Sequence, residues 1–571
     1  MGYARSCTTP RCVVLGSTSW GTANQRGGER VFTTIWQWID RNILELGREM
    51  RLSYLPPLMV YAAAGVSGLT GIVGVFFVKE YLGLSAEFLA ALGFWAGIPW
   101  AIKMPLGHLV DLMWRYKSVL VYLGATLIAA SLLIMVGLIG SPAAMREVMS
   151  VEAWFIIGVL LSPVGYVVQD VVADAMTVEA VPRLDAEGRP IDAAERKLMN
   201  TTVQTLGLVA IIGGGVVVAL INLFMFRGVE ALSEPAKVKI YRDVYVAALA
   251  IPAISVLGVV FASILNWRNV QGLVAKGFTR QQAREMLRGP RERTETNWWI
   301  LGGSLAFVIF TAIVGLTNLP SGQEIIFAGS ITIVLFLMMK LLKELEPDAR
   351  QTLVGTAIVI FVFRAMPTAG PGVTWWMIDA LRFDQEFLSV LSLISSGLTL
   401  AGMFIFRRFM AERSIAYVVA TLTIAVTFLA LPIIGMYYGL HHWTAARTGC
   451  VVDARFIAIV DTALESPLGQ ISMIPMLAWI ANSAPTNLKA TYFAVMASFT
   501  NLALSLAQLG TKYLNQIYTV SREVKDAASG AVKVPADYSE LGALMITASL
   551  IGLVLPLLAI ALARALRLRS A

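Results

Sequence analysis

The chain has 571 residues, of which 57% are hydrophobic and 14% charged, and it carries a formal net charge of +8. Soluble domains need roughly a quarter charged residues to keep their surface solvated, so this deficit excludes an ordinary soluble protein and points to a bilayer as the solvent. The basic excess does not indicate nucleic acid, because the lysines and arginines sit in short loops between apolar runs, the distribution expected for cytoplasmic loops of a membrane protein.

Residues 1–31 are polar and glycine-rich, with no apolar core that would make a secretory signal. Met1-Gly2 with Ser6 meets the loose myristoylation pattern, and Met50 is an alternative start. Phe32, Trp36, Ile39, Ile43 and Leu46 then recur at helical spacing with Asp40, Arg41, Glu45 and Arg48 between them. That pattern predicts an amphipathic surface helix over 32–48 within an N-terminal segment of residues 1–55.

A membrane-crossing helix needs roughly 20 apolar residues. Six such stretches lie within 56–266, at about 57–79, 89–112, 118–139, 153–180, 199–224 and 244–266. A basic linker at 267–297 follows, with Arg268, Lys276, Arg280, Arg284, Arg288, Arg291 and Arg293. Residues 298–345 hold two more stretches, about 298–318 and 324–343, joined by a turn at Asn318–Gly322. Six others occupy 346–571, at about 352–372, 386–406, 415–438, 454–481, 488–514 and 540–565. The sum is an all-α integral membrane protein with about fourteen transmembrane helices.

The loop charges favour both termini inside. That arrangement places Arg115/Lys117, Arg183/Arg189/Arg196/Lys197, the 267–297 linker, Lys343/Arg350, Arg407/Arg408/Arg413 and Arg564/Arg567/Arg569 on the cytoplasmic side. A bacterial inner membrane is the expected location.

Ionisable side chains inside apolar spans are costly and mark function by default. The second stretch contains Lys103 and Gly107 and ends at Asp111, followed by Arg115. The fourth contains Asp170 and Asp174, one helical turn apart on one face, and then Glu179. Two carboxylates so placed repel and titrate together, which suits a proton carrier; a static ion pair with Lys103 or Arg364 is the other reading. In the second half, Asp461 and Glu465 repeat the four-residue spacing beside Pro467. Arg364 and Lys103 would suit an anionic substrate, while Asn501 and Gln508 either line the same cavity or bridge helices. The three cysteines (Cys7, Cys12, Cys450) and three histidines (His108, His441, His442) are too few and scattered for a disulfide framework or a metal site, so neither metal nor cofactor is expected. No motif combines a nucleophile with a base, and an enzyme is not expected.

Six helices, a basic linker and six more resemble the major facilitator fold, with two extra helices inserted between its halves. Gly107, Asp111 and Arg115 are similar to that superfamily's loop motif, which implies a gate. The segment Pro99-Trp-Ala-Ile-Lys103-Met-Pro105-Leu-Gly107 through Asp111 resembles a signature of the folate–biopterin transporter family. So do Asp170-Val-Val-Ala-Asp174-Ala-Met-Thr-Val-Glu179 and, more loosely, Arg364-Ala-Met-Pro367, Glu465 and Ala490–Ser498 with Asn501. Met104, the shortened basic run after Asp111, the inserted pair and the long N-terminal segment depart from the family pattern. The resemblance implies a transporter that imports a folate- or pterin-like organic anion with protons. Lys103, Arg364, Asn501 and Gln508 would bind substrate, and Asp170, Asp174, Glu179, Asp461 and Glu465 would serve coupling. The expected partners are thus a small anionic substrate, protons and membrane lipid, with a monomer as the simplest state. A different cargo (a muropeptide, another organic anion or a drug) and a non-transporting scaffold on the same fold are the alternatives.

Overall fold

The computed structural model describes residues 37, 40, 44–77, 84–101, 103–113, 116–182, 189, 191–288, 298–316, 321–343, 347–406, 413–468, 489–525 and 532–568. Residues 1–51 and 52–571 form two compact units. In the first, a short helix runs Glu45–Arg48, and Arg48 pairs with Asp40 at 2.5 Å. Apart from residues 37, 40 and 44, the rest of the surface helix expected at 32–48 lies outside the described residues.

The second unit is a helical bundle. Its helices are α1 (Leu55–Val66), α2 (Gly71–Phe77), α3 (Ala86–Ala101), α4 (Lys103–Leu112), α5 (Lys117–Gly140), a short connecting helix at Pro142–Val148, α6 (Val151–Ala180), α7 (Ala193–Met225), α8 (Glu234–Ala248) and α9 (Ala250–Ala275). The linker contributes α10 (Arg280–Arg288), and the inserted pair is α11 (Trp298–Leu316) and α12 (Gly322–Leu342). Then come α13 (Pro347–Arg364), α14 (Gly372–Asp379), α15 (Gln385–Ile405), α16 (Ile415–Leu429), α17 (Leu431–Tyr437), α18 (Leu440–Thr448), α19 (Ala454–Glu465), α20 (Lys489–Ile517) and α21 (Leu541–Ala565). Every apolar stretch read from the sequence carries helix. Among the described residues, nine helical runs are long and apolar enough to cross a membrane.

Polar residues at the loop edges start these helices. Ser150, Asp384, Ser414 and Asp453 accept hydrogen bonds from the backbone N–H groups of Ala153, Phe387, Tyr417 and Phe456, which have no partner within their own helices. Side-chain exposure is the reverse of a soluble bundle: Phe224, Leu133 and Leu558 stand on the outside, where only hydrocarbon can solvate them.

The helix pairs touch through small residues, as expected where lipid competes equally with apolar side chains. On α5 and α6, Gly124 and Gly165 face each other, and a Cβ on either would come within 2.6–2.7 Å of the other's carbonyl oxygen. Gln169 locks the same crossing, donating to the Val121 carbonyl at 3.2 Å and accepting from Ser255 at 3.0 Å. Residues before the linker meet those after it where α3 packs along α20 and α7 along α15. The inserted pair rests on the first of these seams: Lys512 reaches Glu324 at 3.1 Å, Tyr513 also donates to Glu324, and Gln323 donates to the Ala91 carbonyl at 3.0 Å.

Two features differ from the sequence reading. The stretch expected as one helix over 352–372 is broken at 365–371, between α13 and α14. Pro367 and Pro371 remove backbone donors there, and Gly370 adopts φ +77°. Thr511 of α20 accepts from the Thr368 N–H at 3.0 Å, and Asn515 donates to the Ala369 carbonyl at 3.3 Å. Side chains of a neighbouring helix thus replace the lost ladder, which is how non-helical backbone survives at membrane depth. The second feature is a small hairpin in the loop after α20, β1 (Val524–Lys525) with β2 (Val532–Val534).

Candidate functional site

The helix of the second stretch runs as α3 and α4 on either side of residue 102, which is outside the described residues. Pro105 has no N–H to give the Ala101 carbonyl, and Asn501 of α20 donates to the neighbouring Trp100 carbonyl at 3.1 Å. Lys103, at the start of α4, projects toward α6. Its ammonium lies 2.6 Å from Asp170 Oδ2 and 2.8 Å from Asp174 Oδ2. Tyr61 of α1 donates to the other oxygen of Asp174 at 2.6 Å.

The single helical turn between the two carboxylates makes the shared lysine possible, because it presents both to one partner. Lys103 and Asp170 side chains are 18% and 15% exposed, whereas Asp174 is 41% exposed, so the cluster opens on the Asp174 side. Two carboxylates and one ammonium leave one net negative charge, which one proton or one cationic group would cancel. Behind Asp174, Thr177 donates to its carbonyl at 2.7 Å and receives a bond from Gln204 at 3.0 Å, tying α7 to the same turn.

Glu179 belongs elsewhere. It pairs at 2.5 Å with Lys117, the buried first residue of α5, near the end of α6. Of the motif read as a gate, Gly107 lies within α4 and Asp111 is helical, but its side chain and Arg115 lie outside the described residues.

In the second half, Arg364 is the last residue of α13, half-buried just before the break. Asp461 is buried on α19, its Oδ1 without a hydrogen bond among the described residues, and Glu465 is exposed at the helix end. Among the described residues, no hydrogen bond or ion pair joins Asp461 or Glu465 to the Lys103 cluster. Asn501 bridges helices as described above. Gln508 lies against α3 at Gly93, where a Cβ would meet its Oε1 at 3.0 Å. Both polar groups therefore sit on the α3–α20 seam.

Several participants escape sequence inspection. Tyr61, Lys117, Thr511 and Asn515 read as ordinary residues of apolar helices, or of their ends. The loop after α20 brings a buried Arg522 over the Trp375 ring at 5.2 Å, while Tyr538 donates to Asp379 at 2.5 Å. Burial lowers the Arg522 guanidinium to about 10, and burial together with the Asp379 carboxylate raises the Tyr538 phenol.

Tyr61→Phe removes one donor from Asp174 and leaves the ring in place. A hydrogen bond to a charged group contributes about 1.5–3 kcal/mol. The variant is expected to keep its fold with a lower melting temperature, and an unchanged melting temperature would show that this bond contributes nothing to the cluster.

The bundle is that of a polytopic membrane protein with the major facilitator fold. Within that class the chain belongs to the BT1 family, whose model matches residues 64–567. It is 20% identical over 477 residues to the folate-biopterin transporter of Synechocystis sp., covering 83% of this chain and 76% of that one. Among solved structures, it resembles a peptide transporter, POT, at a TM-score of 0.56 and 13% identity, covering 91% of this chain and 95% of the other. A POT family transporter in complex with 5-aminolevulinic acid gives a TM-score of 0.54 at 13% identity, covering 90% and 96%. The nucleoside transporter NupG gives 0.50 at 13% identity, covering 90% and 99%. At these identities the structural likeness speaks for the fold alone.

Proposed function

We propose that the protein imports a folate- or pterin-like organic anion together with protons, by rocking two six-helix halves, 56–266 and 346–571, about a central site. The observation that carries this reading is the single lysine shared by Asp170 and Asp174 inside the membrane. A fixed structural role would need only one carboxylate for one ammonium. A second carboxylate with an open side gives the cluster a place to take up a proton, and protonation loosens its hold on Lys103. Lys103 is then released toward an anionic substrate, with Arg364 contributed from the other half. Substrate lies between α1, α6, α13–α14 and α19, and Asp461 and Glu465 form a second titrating pair. Gly107, Asp111 and Arg115 gate the cytoplasmic side of a bacterial inner membrane, on which both termini lie. The cargo assignment is supported by the name of the Synechocystis relative.

The test is uptake of labelled folate by cells expressing the chain. Asp174→Asn and a protonophore are each expected to abolish it. Uptake insensitive to both would sink the coupling. A purified protein that is stabilised by other organic anions, but by no folate or pterin, would overturn the cargo.

A further inference from the structure

On the outside of the bundle, α5 and α9 leave a groove of about 330 Å³, lined by Tyr122, Val260, Ser263, Ile264 and Trp267. That is the lower end of the size of small-molecule sites. The groove belongs to the surface that faces hydrocarbon. Its two aromatic rings are 42% and 63% exposed, at Tyr122 and Trp267, and both lie near the ends of their apolar runs. Aromatic rings at that level mark the boundary between hydrocarbon and headgroups.

The chemistry changes within one turn. Val260, Ile264 and Arg268 follow one another at four-residue intervals on one face of α9, so the apolar wall ends in an exposed guanidinium. Beyond it the chain turns at Gly277, with φ +97°. Then α10 folds back, seating Ala283, Met286 and Leu287 against Val270, Leu273 and Val274. Docked in this way, α10 leaves Arg280 and Arg284 exposed, as are Lys276 and Arg268. Between residues 264 and 287 the only acidic side chain is Glu285, which accepts a hydrogen bond from Gln281 at 3.2 Å. An apolar slot with two aromatic rings thus ends at Arg268, one turn beyond Ile264, and further basic residues follow on the next helix.

We propose that this groove is a site for one anionic phospholipid, with an acyl chain along Val260 and Ile264 and the phosphate held by Arg268. Lys276, Arg280 and Arg284 supply the surrounding positive field. Charge selects the occupant: a neutral lipid satisfies the slot but not the basic residues, and a free anion satisfies the basic residues but not the slot. Each basic residue near an anionic surface is worth a factor of about five in binding.

The full chain, purified in an uncharged detergent, would be melted with added phosphatidylglycerol, phosphatidylcholine or soluble glycerol phosphate, and retained lipid counted by native mass spectrometry. Phosphatidylglycerol is expected to raise the melting temperature more than phosphatidylcholine and to leave one retained molecule, while glycerol phosphate has no effect. Arg268→Gln should cut phosphatidylglycerol affinity about fivefold and leave the phosphatidylcholine response unchanged, with Arg268→Lys close to the parent. The paired change Arg280→Gln with Arg284→Gln tests the basic residues of α10 without touching the groove, and should weaken the same lipid. Equal responses to the two lipids, full stabilisation by glycerol phosphate, or selectivity that survives Arg268→Gln would each overturn the site.

Discussion

Lys103→Gln is expected to abolish uptake and to lower the melting temperature sharply, and adding Asp170→Asn with Asp174→Asn should recover the stability but not the transport. The reason is an asymmetry in buried ion pairs. Removing one partner leaves uncompensated charge in a medium that cannot solvate it, at a cost of about 3–5 kcal/mol, whereas replacing all partners by neutral groups can be nearly neutral. Lys103 stands against two carboxylates at 2.6 and 2.8 Å, so its loss strands both. The neutral triple variant keeps the shapes and most hydrogen-bonding capacity, including the Tyr61 bond to position 174. If the cluster is only a brace, the triple variant should transport as well as the parent. If it carries the proposed proton step, the triple variant should be folded and silent. The two outcomes are separated by measuring melting temperature and flux on the same preparations.

Gly165→Leu should cost the protein its stable fold, while Gly213→Leu should be tolerated. Both glycines lie within long apolar helices, and neither has a positive φ. The difference is what a side chain would meet. At Gly165 the new Cβ would lie 2.7 Å from the Gly124 carbonyl oxygen and 2.7 Å from the Ile128 side chain, whereas at Gly213 nothing among the described residues lies within 4 Å. Overpacking of a tight contact costs about 1–3 kcal/mol, and occasionally more; backbone on both sides of this crossing leaves little room to yield. Because α6 also carries Asp170 and Asp174, a shifted crossing would displace the carboxylates from Lys103. Size-exclusion profiles and melting curves of the two variants check this directly, and equal stability of the two would contradict the packing argument.

Much of this protein is legible without coordinates. Apolar run length and the near-absence of charge within it locate each helical stretch, because a helix in hydrocarbon must satisfy its own backbone and show apolar side chains outward. The i, i+4 spacing of Asp170 and Asp174 states in one dimension that they share a face. The cost of burying charge calls for a buried cation beside them, and the sequence offers Lys103 or Arg364. Where periodicity is the signal, one chain suffices.

The broken helix at 365–371 was less legible. Pro367, Gly370 and Pro371 announce a break, but a break in hydrocarbon is stable only if another element supplies the missing hydrogen bonds. Nothing near Thr511 or Asn515 in the sequence says that they do so. Tyr61 is hidden for the same reason, lying 113 residues from the carboxylate it serves. The hairpin after α20 has strands of two and three residues, too short for any alternation to register.

Sequence alone thus determined the solvent, the helical stretches and the candidate charges within them, since each follows from the transfer of groups between water and hydrocarbon, a property of local composition. Tertiary structure alone decided which charges meet. It gave Asp170 and Asp174 to one lysine, set Glu179 aside with Lys117, and placed Asn501 and Gln508 on a helix seam. Such pairings depend on how helices distant in the chain cross, and the crossings are fixed by small-residue contacts, such as Gly124 with Gly165, whose partners the linear pattern does not name.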